Sequence, residues 1–113
     1  MKYKLKEVNG NNYYYDIYVN SKKIGKIAYS IYSDINAAGI GDFYIKSTER
    51  NKGYGTQVLD DFIEKLSKNY DLVYCYVDKN NNGAIRLYER FGTLFDTDGN
   101  QYYVELYNRK TRE

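Results

Sequence analysis

The residues best suited to chemistry lie in one basic, glycine-bearing run, E-R-N-K-G-Y-G-T-Q-V-L at 49–59. The strand-like segment Gly41–Ile45 precedes this run, and apolar residues then recur at 3- and 4-residue spacings, which predicts a helix with one buried face. The run should therefore form a helix N-terminus, where the first backbone N–H groups lack partners and the helix dipole favours anions. Gly53 and Gly55 permit positive φ and close approach of a phosphate. The pattern predicts an anion-binding loop.

Two common phosphate motifs are absent from this loop, since neither G-x-x-x-x-G-K-[ST] nor G-x-G-x-x-G occurs there. Arg50 and Lys52 add positive charge at its rim. A simple strand-to-helix turn is the alternative interpretation of the two glycines.

A second pattern lies at 77–92, where the sequence is V-D-K-N-N-N-G-A-I-R-L-Y-E-R-F-G. Its form, V-x-x-x-N-x-x-A-x-x-[LF]-Y-x-x-x-G, and the earlier R-x-x-G-x-G resemble the two halves of the cofactor site of the GNAT superfamily, the acetyl-CoA-dependent N-acetyltransferases. The order and the spacing of the two motifs both agree with those of that family. The two motifs, together with the elements between them, span roughly residues 40–92.

The resemblance implies a role for each matching residue. Asn81 would reach the pantetheine arm of acetyl-CoA, and Tyr88 would lie beside the sulfur and protonate the departing thiolate. The backbone N–H of Ile45 would donate to the thioester oxygen, with Ser47 near the cofactor arm. The implied catalytic residues are Tyr88 and Ile45, no metal is expected, and the implied acetyl-CoA-binding residues are Ile45, Ser47, Arg50, Asn51, Lys52, Gly53, Tyr54, Gly55, Thr56, Asn81 and Tyr88. Packing alone is the other interpretation of Tyr88, because Leu87 and Phe91 lie near the same helical face.

No residue is assigned as the general base. Strand alternation predicts that Gly39, Gly41 and Phe43 share the face of Ile45 and that Asp42 lies on the other face, which weakens Asp42 as a candidate. Asp34, a water chain or a carboxylate of the substrate protein are the alternatives.

The expected fold is α+β, of the α/β three-layer type. It is a GNAT-like mixed, mostly antiparallel twisted sheet of about 6–7 strands with two main helices, in the order β-β-β-β-α-β-α-β-β, within a single domain at 1–113. Asn9-Gly10 and Asp98-Gly99 are hairpin signals. The predicted strands are 2–8, 12–19, 23–32, 39–46, 71–77, 93–96 and 101–108, the predicted helices are 55–69 and 82–91, and 33–38 is expected to be a loop.

The chain departs from the family between its first two strands. GNAT domains usually have one or two helices there, which form a wall of the acceptor pocket, whereas this interval holds only the turn Asn9-Gly10-Asn11. The acceptor side should therefore be open, which suits a protein lysine or N-terminus better than a small amine that needs enclosure. Closure of the site by homodimerisation is the alternative.

Composition excludes several other classes of function. The net charge of +2 gives no nucleic-acid footprint, and the absence of an 18-residue apolar stretch or a signal-peptide core leads us to expect a cytoplasmic protein without a membrane partner. With no histidine, Ser-His and Cys-His nucleophiles and His-containing zinc sites are excluded. The lone Cys75 lies in an apolar strand pattern and is expected to be a core residue.

The expected function is acetyl-CoA-dependent N-acetyl transfer to a primary amine by direct attack in a ternary complex, with a protein or peptide acceptor favoured. Small-amine acetylation, a non-catalytic module that binds acetyl-CoA or CoA, and a small structural domain with accidental motif matches are the alternatives.

Overall fold

The computed structural model describes residues 1–109, so the last four residues of the predicted domain lie outside the described part. The predicted fold class and the order of elements are confirmed. The strands are β1 (Lys2–Asn9), β2 (Asn12–Val19), β3 (Lys22–Tyr32), β4 (Ala37–Ile45), β5 (Leu72–Asp78), β6 (Gly92–Phe95) and β7 (Gln101–Leu106), and the helices are α1 (Tyr54–Ser67) and α2 (Asn82–Glu89).

Most boundaries move from the predicted ones by one or two residues. The predicted loop at 33–38 is wrong at its end, because β4 already begins at Ala37; only Ser33–Ile35 form a 3-10 turn. Ala37 and Ala38 are both buried, and their pairing with β3 and β5 extends the strand.

The seven strands form one sheet in the order β1-β2-β3-β4-β5-β7-β6. Every neighbouring pair is antiparallel except β4 and β5, which are parallel. That pair is joined at only three positions, Ala37 to Leu72, Ala38 to Val73 and Gly39 to Tyr74. Beyond Gly39, β5 continues to pair with β7 whereas β4 continues to pair with β3, so a split opens between β4 and β5.

A β-bulge in β4 lies beside this split. Gly41 pairs with Ala28 and Tyr44 with Lys26, so Asp42 and Phe43 together oppose the single residue Ile27. Asp42 takes a left-handed φ of 48° at the bulge. An extra residue reverses the alternation of side chains, and the predicted shared face of Gly39, Gly41, Phe43 and Ile45 is therefore wrong.

The helices cover one face of the sheet. The predicted apolar stripe of α1 is confirmed, since Val58, Leu59, Phe62, Ile63 and Leu66 are all buried. The Phe62 ring packs edge-on against Tyr3 and Tyr15 of the sheet. Truncating such a buried ring to alanine typically costs about 3–5 kcal/mol, so this contact is a main attachment of α1.

The second helix lies on the same face as the first. A Cβ atom at Gly55 of α1 would be 3.5 Å from Leu87 of α2, and Tyr88 of α2 contacts Cys75 beneath it. Both helices thus lie on one face of the sheet, and no helix follows β1. The opposite sheet face, on which Tyr74 and Tyr76 of β5 lie, is not covered by either helix. Within the described residues, no helix combines the length and apolarity needed to span a membrane.

Candidate active site

A groove of about 480 Å³ lies on the helical side of the sheet, where the end of β4, the glycine loop and the two helices meet. It collects nine of the eleven residues predicted to bind acetyl-CoA: Ile45, Arg50, Asn51, Gly53, Tyr54, Gly55, Thr56, Asn81 and Tyr88. Ser47 and Lys52 do not line it. Ser47 begins a 3-10 turn and its carbonyl accepts from the backbone N–H of Arg50, and the Lys52 ammonium turns towards Glu49.

The glycine loop places the uncapped N-terminus of α1 at this groove. Asn51 and Gly53 adopt left-handed φ values of 64° and 81°, which turn the chain into α1. No side chain caps the helix, and the Gln57 N–H donates back to the Gly53 carbonyl at 3.2 Å. The N–H groups of the preceding first turn therefore have no acceptor within the helix and remain able to bind an anion.

Gly55 keeps the groove open beside that helix end. An added Cβ would stand 3.5 Å from Leu87 and 3.9 Å from Phe43, so a side chain there would occupy the space between the helix start and the groove wall. The loop, its free N–H groups and this space fit a phosphorylated ligand with a long arm.

Arg50 is tied to the end of β4. Its Nε donates to the carbonyl of Ile45 at 2.8 Å, and its guanidinium lies 5.2 Å from the centre of the Tyr44 ring. The terminal guanidinium nitrogens take no part in the Ile45 bond. Arg50 therefore offers a positioned cation at the groove edge, held between the strand and the loop.

A buried carboxylate, which sequence reasoning missed, anchors the loop from behind. Glu49 is 6% exposed and accepts from Lys22 at 2.6 Å and from Lys52 at 3.2 Å. Hydrogen bonds from Lys22 and then Lys52 hold the pKa of Glu49 below its ordinary value, against the opposing effect of burial. Because Lys22 is 27 residues away in sequence, only the folded chain brings this cluster together.

The backbone of Ile45 points into the split. The N–H of Lys46 donates to the Ile24 carbonyl at 2.8 Å, so that residue faces β3. Because successive residues of a strand direct their N–H groups to opposite sides, the N–H of Ile45 faces β5, from which β4 has already separated. The predicted oxyanion donor is thus directed into the gap.

Asn81 begins α2 and caps it. Its side-chain oxygen accepts from the Ala84 N–H at 3.1 Å, which is the usual N-cap bond. The oxygen is therefore engaged within the chain, whereas the amide nitrogen of the same side chain can donate towards the groove.

Tyr88 projects from α2 to the inner end of the groove and is 7% exposed. Burial, followed by the neighbouring Cys75 thiol, raises the pKa of Tyr88 well above its ordinary value of 10. Burial likewise raises the pKa of Cys75 to about 12, although its hydrogen bond with Tyr88 acts in the opposite direction. Both groups are protonated at neutral pH, and Cys75 is the expected core residue.

A second arginine, also absent from the sequence-based assignment, completes the outer rim. The Arg90 Nη2 atom donates to the Thr56 hydroxyl at 2.9 Å and joins the end of α2 to the start of α1. Arg90 lines the same groove as Arg50. Arg90 occupies a variable position within the second motif, which gave no signal, because the contact depends on how the two helices meet.

Comparisons with known proteins agree with this geometry. The model of the acetyltransferase (GNAT) family matches residues 2–93. Among curated proteins, no sequence matches the chain. The solved structure of Campylobacter jejuni N-acetyltransferase PseH in complex with acetyl coenzyme A is 26% identical over 88% of this chain and 70% of that chain, with a TM-score of 0.71.

Two further solved structures share the fold. A putative acyl-CoA N-acyltransferase from Klebsiella pneumoniae is 16% identical over 85% of this chain and 72% of that chain, with a TM-score of 0.72. PaiA N-acetyltransferase from Thermoplasma acidophilum, in complex with coenzyme A, is 24% identical over 86% of this chain and 61% of that chain, with a TM-score of 0.73.

Proposed function

Because the chain belongs to the acetyltransferase (GNAT) family, we propose that it transfers an acetyl group from acetyl-CoA to a primary amine by direct attack in a ternary complex. Membership of this family supports an N-acetyltransferase activity, of class EC 2.3.1. One observation carries the finer proposal: a single groove joins the uncapped N-terminus of α1, Asn81 and Tyr88 next to the split. When bound, acetyl-CoA supplies a thioester carbonyl as the acyl donor.

Each groove residue has a physical task in this reaction. The first N–H groups of α1 and the Arg50 guanidinium would bind the diphosphate, as a helix N-terminus and a cation bind anions. The Asn81 amide nitrogen would donate to the cofactor arm, and Ile45 would direct its N–H at a carbonyl oxygen, where charge develops during transfer.

Tyr88 is proposed to hold a proton at the leaving sulfur. Its raised pKa keeps the phenol neutral, so that a donor is present throughout the physiological pH range. A donor with so high a pKa is a weak acid, and its main effect would be a hydrogen bond that strengthens as negative charge builds on the sulfur. This role predicts a change in turnover rather than in acetyl-CoA affinity.

The proposed acceptor is a lysine or N-terminal amine of a protein or peptide. The acceptor must reach the split from the sheet face that no helix covers, and an uncovered face admits a large substrate more readily than it encloses a small one. A second copy of the chain could close that face instead, in which case a small amine would become the better substrate.

The test has two stages. Isothermal titration with acetyl-CoA, CoA and ATP should give micromolar binding of the first two and much weaker binding of ATP. Acetyl mass shifts are then compared for lysine peptides, peptides with a free N-terminus and small polyamines. Selective acetylation of peptides supports the proposal; acetylation of polyamines alone contradicts the protein acceptor.

A non-catalytic module that binds acetyl-CoA or CoA is the second candidate, and one observation favours it. Among described residues, Glu49 is the sole carboxylate that lines the groove, and two lysines already hold it. Cofactor binding without an acetylated product in any of the three amine classes would establish this function.

A further inference from the structure

A second groove, of about 280 Å³, lies on the uncovered face of the sheet, directly behind β4. Five tyrosines line it, and the ring of one of them, Tyr29, packs against Phe62 on the helical face. The other four, from β2, β3 and β5, are Tyr14, Tyr32, Tyr74 and Tyr76. Gly39 and Gly41 form its floor, and an added Cβ at Gly39 would lie 2.8 Å from the Tyr74 ring. Gly39 thus lets the Tyr74 ring lie against β4, whereas at Gly41, where an added Cβ would meet no atom within 4 Å, the groove is open.

The charge on the lining of this groove is negative. Of the residues that line it in the described part of the chain, Asp42 is the sole charged one. The bulge turns Asp42 into the groove: Gly41 and Asp42 both line it, whereas a regular strand would have placed these consecutive residues on opposite faces of the sheet. A non-glycine residue held at positive φ is an unfavourable conformation that often marks a functional position.

Tyrosine rings and a carboxylate together favour the binding of a cationic group. The face of an aromatic ring attracts a cation such as an alkylammonium, and a carboxylate adds direct charge complementarity. We infer that this tyrosine groove, formed by Tyr14, Tyr32, Tyr74 and Tyr76 around Asp42, binds the lysine side chain of a peptide or protein acceptor. The inference rests on the proposed transfer reaction.

The surroundings of the groove favour a peptide over a free small amine. Aromatic rings continue from it across β7 to β6: Tyr76 to Tyr103 is 5.6 Å between ring centres, and Tyr103 to Phe95 is 6.0 Å. Tyr76 and Phe95 are 54% and 44% exposed. A continuous exposed aromatic strip offers contacts to residues that flank a lysine, whereas a free amine would leave it unused.

The groove and the cofactor side are adjacent through the split. Asp42 lines the tyrosine groove, whereas the next residue, Phe43, lines the groove on the helical side. A lysine chain that enters over Gly41 therefore approaches the Ile45 N–H from the face opposite the helices.

Binding of a peptide with one Nε-trimethyl-lysine tests this inference, because the probe carries a permanent cation and cannot be acetylated. Its affinity, measured by isothermal titration in the presence of CoA, is compared with that of the same peptide carrying norleucine. The wild-type protein should bind the trimethyl-lysine peptide roughly tenfold more tightly, as expected of a cation on aromatic rings beside a carboxylate.

Three variants locate the site. Gly41→Leu should reduce binding of the probe roughly tenfold or more, since nothing lies within 4 Å of an added Cβ and the leucine would fill the groove without a backbone clash. Asp42→Asn keeps a residue that tolerates the left-handed φ and should weaken the trimethyl-lysine peptide several-fold without changing the norleucine peptide. Tyr76→Leu should weaken both peptides.

Tyr18→Leu is the matched control, because Tyr18 lies on the same sheet face but outside the groove, under Lys4. It should bind the probe as the wild type does, and all four variants should retain acetyl-CoA binding. Equal affinity for the two peptides, or equal losses in the Gly41 and Tyr18 variants, would overturn the inference. Probe binding without any acetylation of an unmodified lysine peptide would remove the proposed reaction and leave the groove assignment standing.

Discussion

Replacement of Gly53 by aspartate would test whether the N-terminus of α1 binds an anion. Gly53 has a φ of 81°, and an added Cβ would meet no atom within 4 Å, so the new side chain would project into open space. Aspartate and asparagine both tolerate a left-handed conformation at similar cost. Gly53→Asn is therefore the control, because it reproduces the shape and the backbone strain without the charge.

The expected difference between the two variants follows from Coulomb's law. At a separation of about 5 Å, each pair of like charges repels by about 0.8 kcal/mol in bulk water and about 3 kcal/mol at an effective dielectric of 20. Gly53 is exposed, so the lower figure is the nearer one, and a diphosphate carries about two charges. A penalty of about 2 kcal/mol corresponds to roughly 30-fold weaker binding.

Titration with acetyl-CoA at moderate ionic strength measures this difference. Gly53→Asn should stay within a few-fold of the wild type, and the gap between the two variants should shrink as salt is added, because exposed charges are screened. Equal affinities for the aspartate and asparagine variants would refute the reasoning, since they would show that no phosphate lies near this helix end.

Three further substitutions probe other parts of the structure. Tyr88→Phe should lower kcat roughly 100-fold with an unchanged acetyl-CoA Kd, and normal turnover would remove the assigned proton donor. Glu49→Gln should lower the unfolding temperature near neutral pH. Since the folded-state pKa of Glu49 is lowered, its contribution is present above the unfolded value of about 4.5 and is lost as pH falls through the folded pKa. The two proteins should thus converge in acid, and a pH-independent difference would contradict the ion-pair account. Gly25→Ala places a Cβ 2.1 Å from the Tyr44 carbonyl oxygen and should cost about 1–3 kcal/mol in urea unfolding, whereas Gly41→Ala, with open space, should be near neutral.

The parts predicted well from sequence are those set by local pattern. The helix over Tyr54–Ser67 follows from five apolar residues at helical spacing, all of which are buried. The first hairpin also follows from turn chemistry, but its two turn residues are Gly10 and Asn11 and not the predicted Asn9-Gly10, since Asn9 still pairs with Asn12 and Gly10 adopts a φ of 60°. Asn81 likewise lies at the start of α2 because an asparagine followed by helix-compatible residues favours an N-cap.

The parts that could not be predicted depend on contacts between distant segments. Glu49 binds Lys22 from another strand, and Arg90 binds Thr56 from another helix. No periodic pattern encodes either contact. The bulge at Asp42 could not be predicted for a different reason. The sequence of β4 is compatible both with a regular strand and with a strand that contains one inserted residue, and only its pairing with Ala28 and Lys26 of β3 decides between the two.

The bulge explains how one strand can serve two opposite grooves. Before the bulge in the sequence, Gly39 and Gly41 form the floor of the tyrosine groove. After the bulge, Phe43 and Ile45 line the groove on the helical side of the sheet. Without the inserted residue, alternation would turn Phe43 and Ile45 towards the tyrosines and remove them from the partly buried layer under α1. The reversal happens where β4 has already left β5, so the backbone N–H of Ile45 is directed into the space between the grooves. The left-handed conformation of Asp42 is therefore coupled to the geometry that, in the proposed reaction, would let a donor on one face and an acceptor on the other meet across β4.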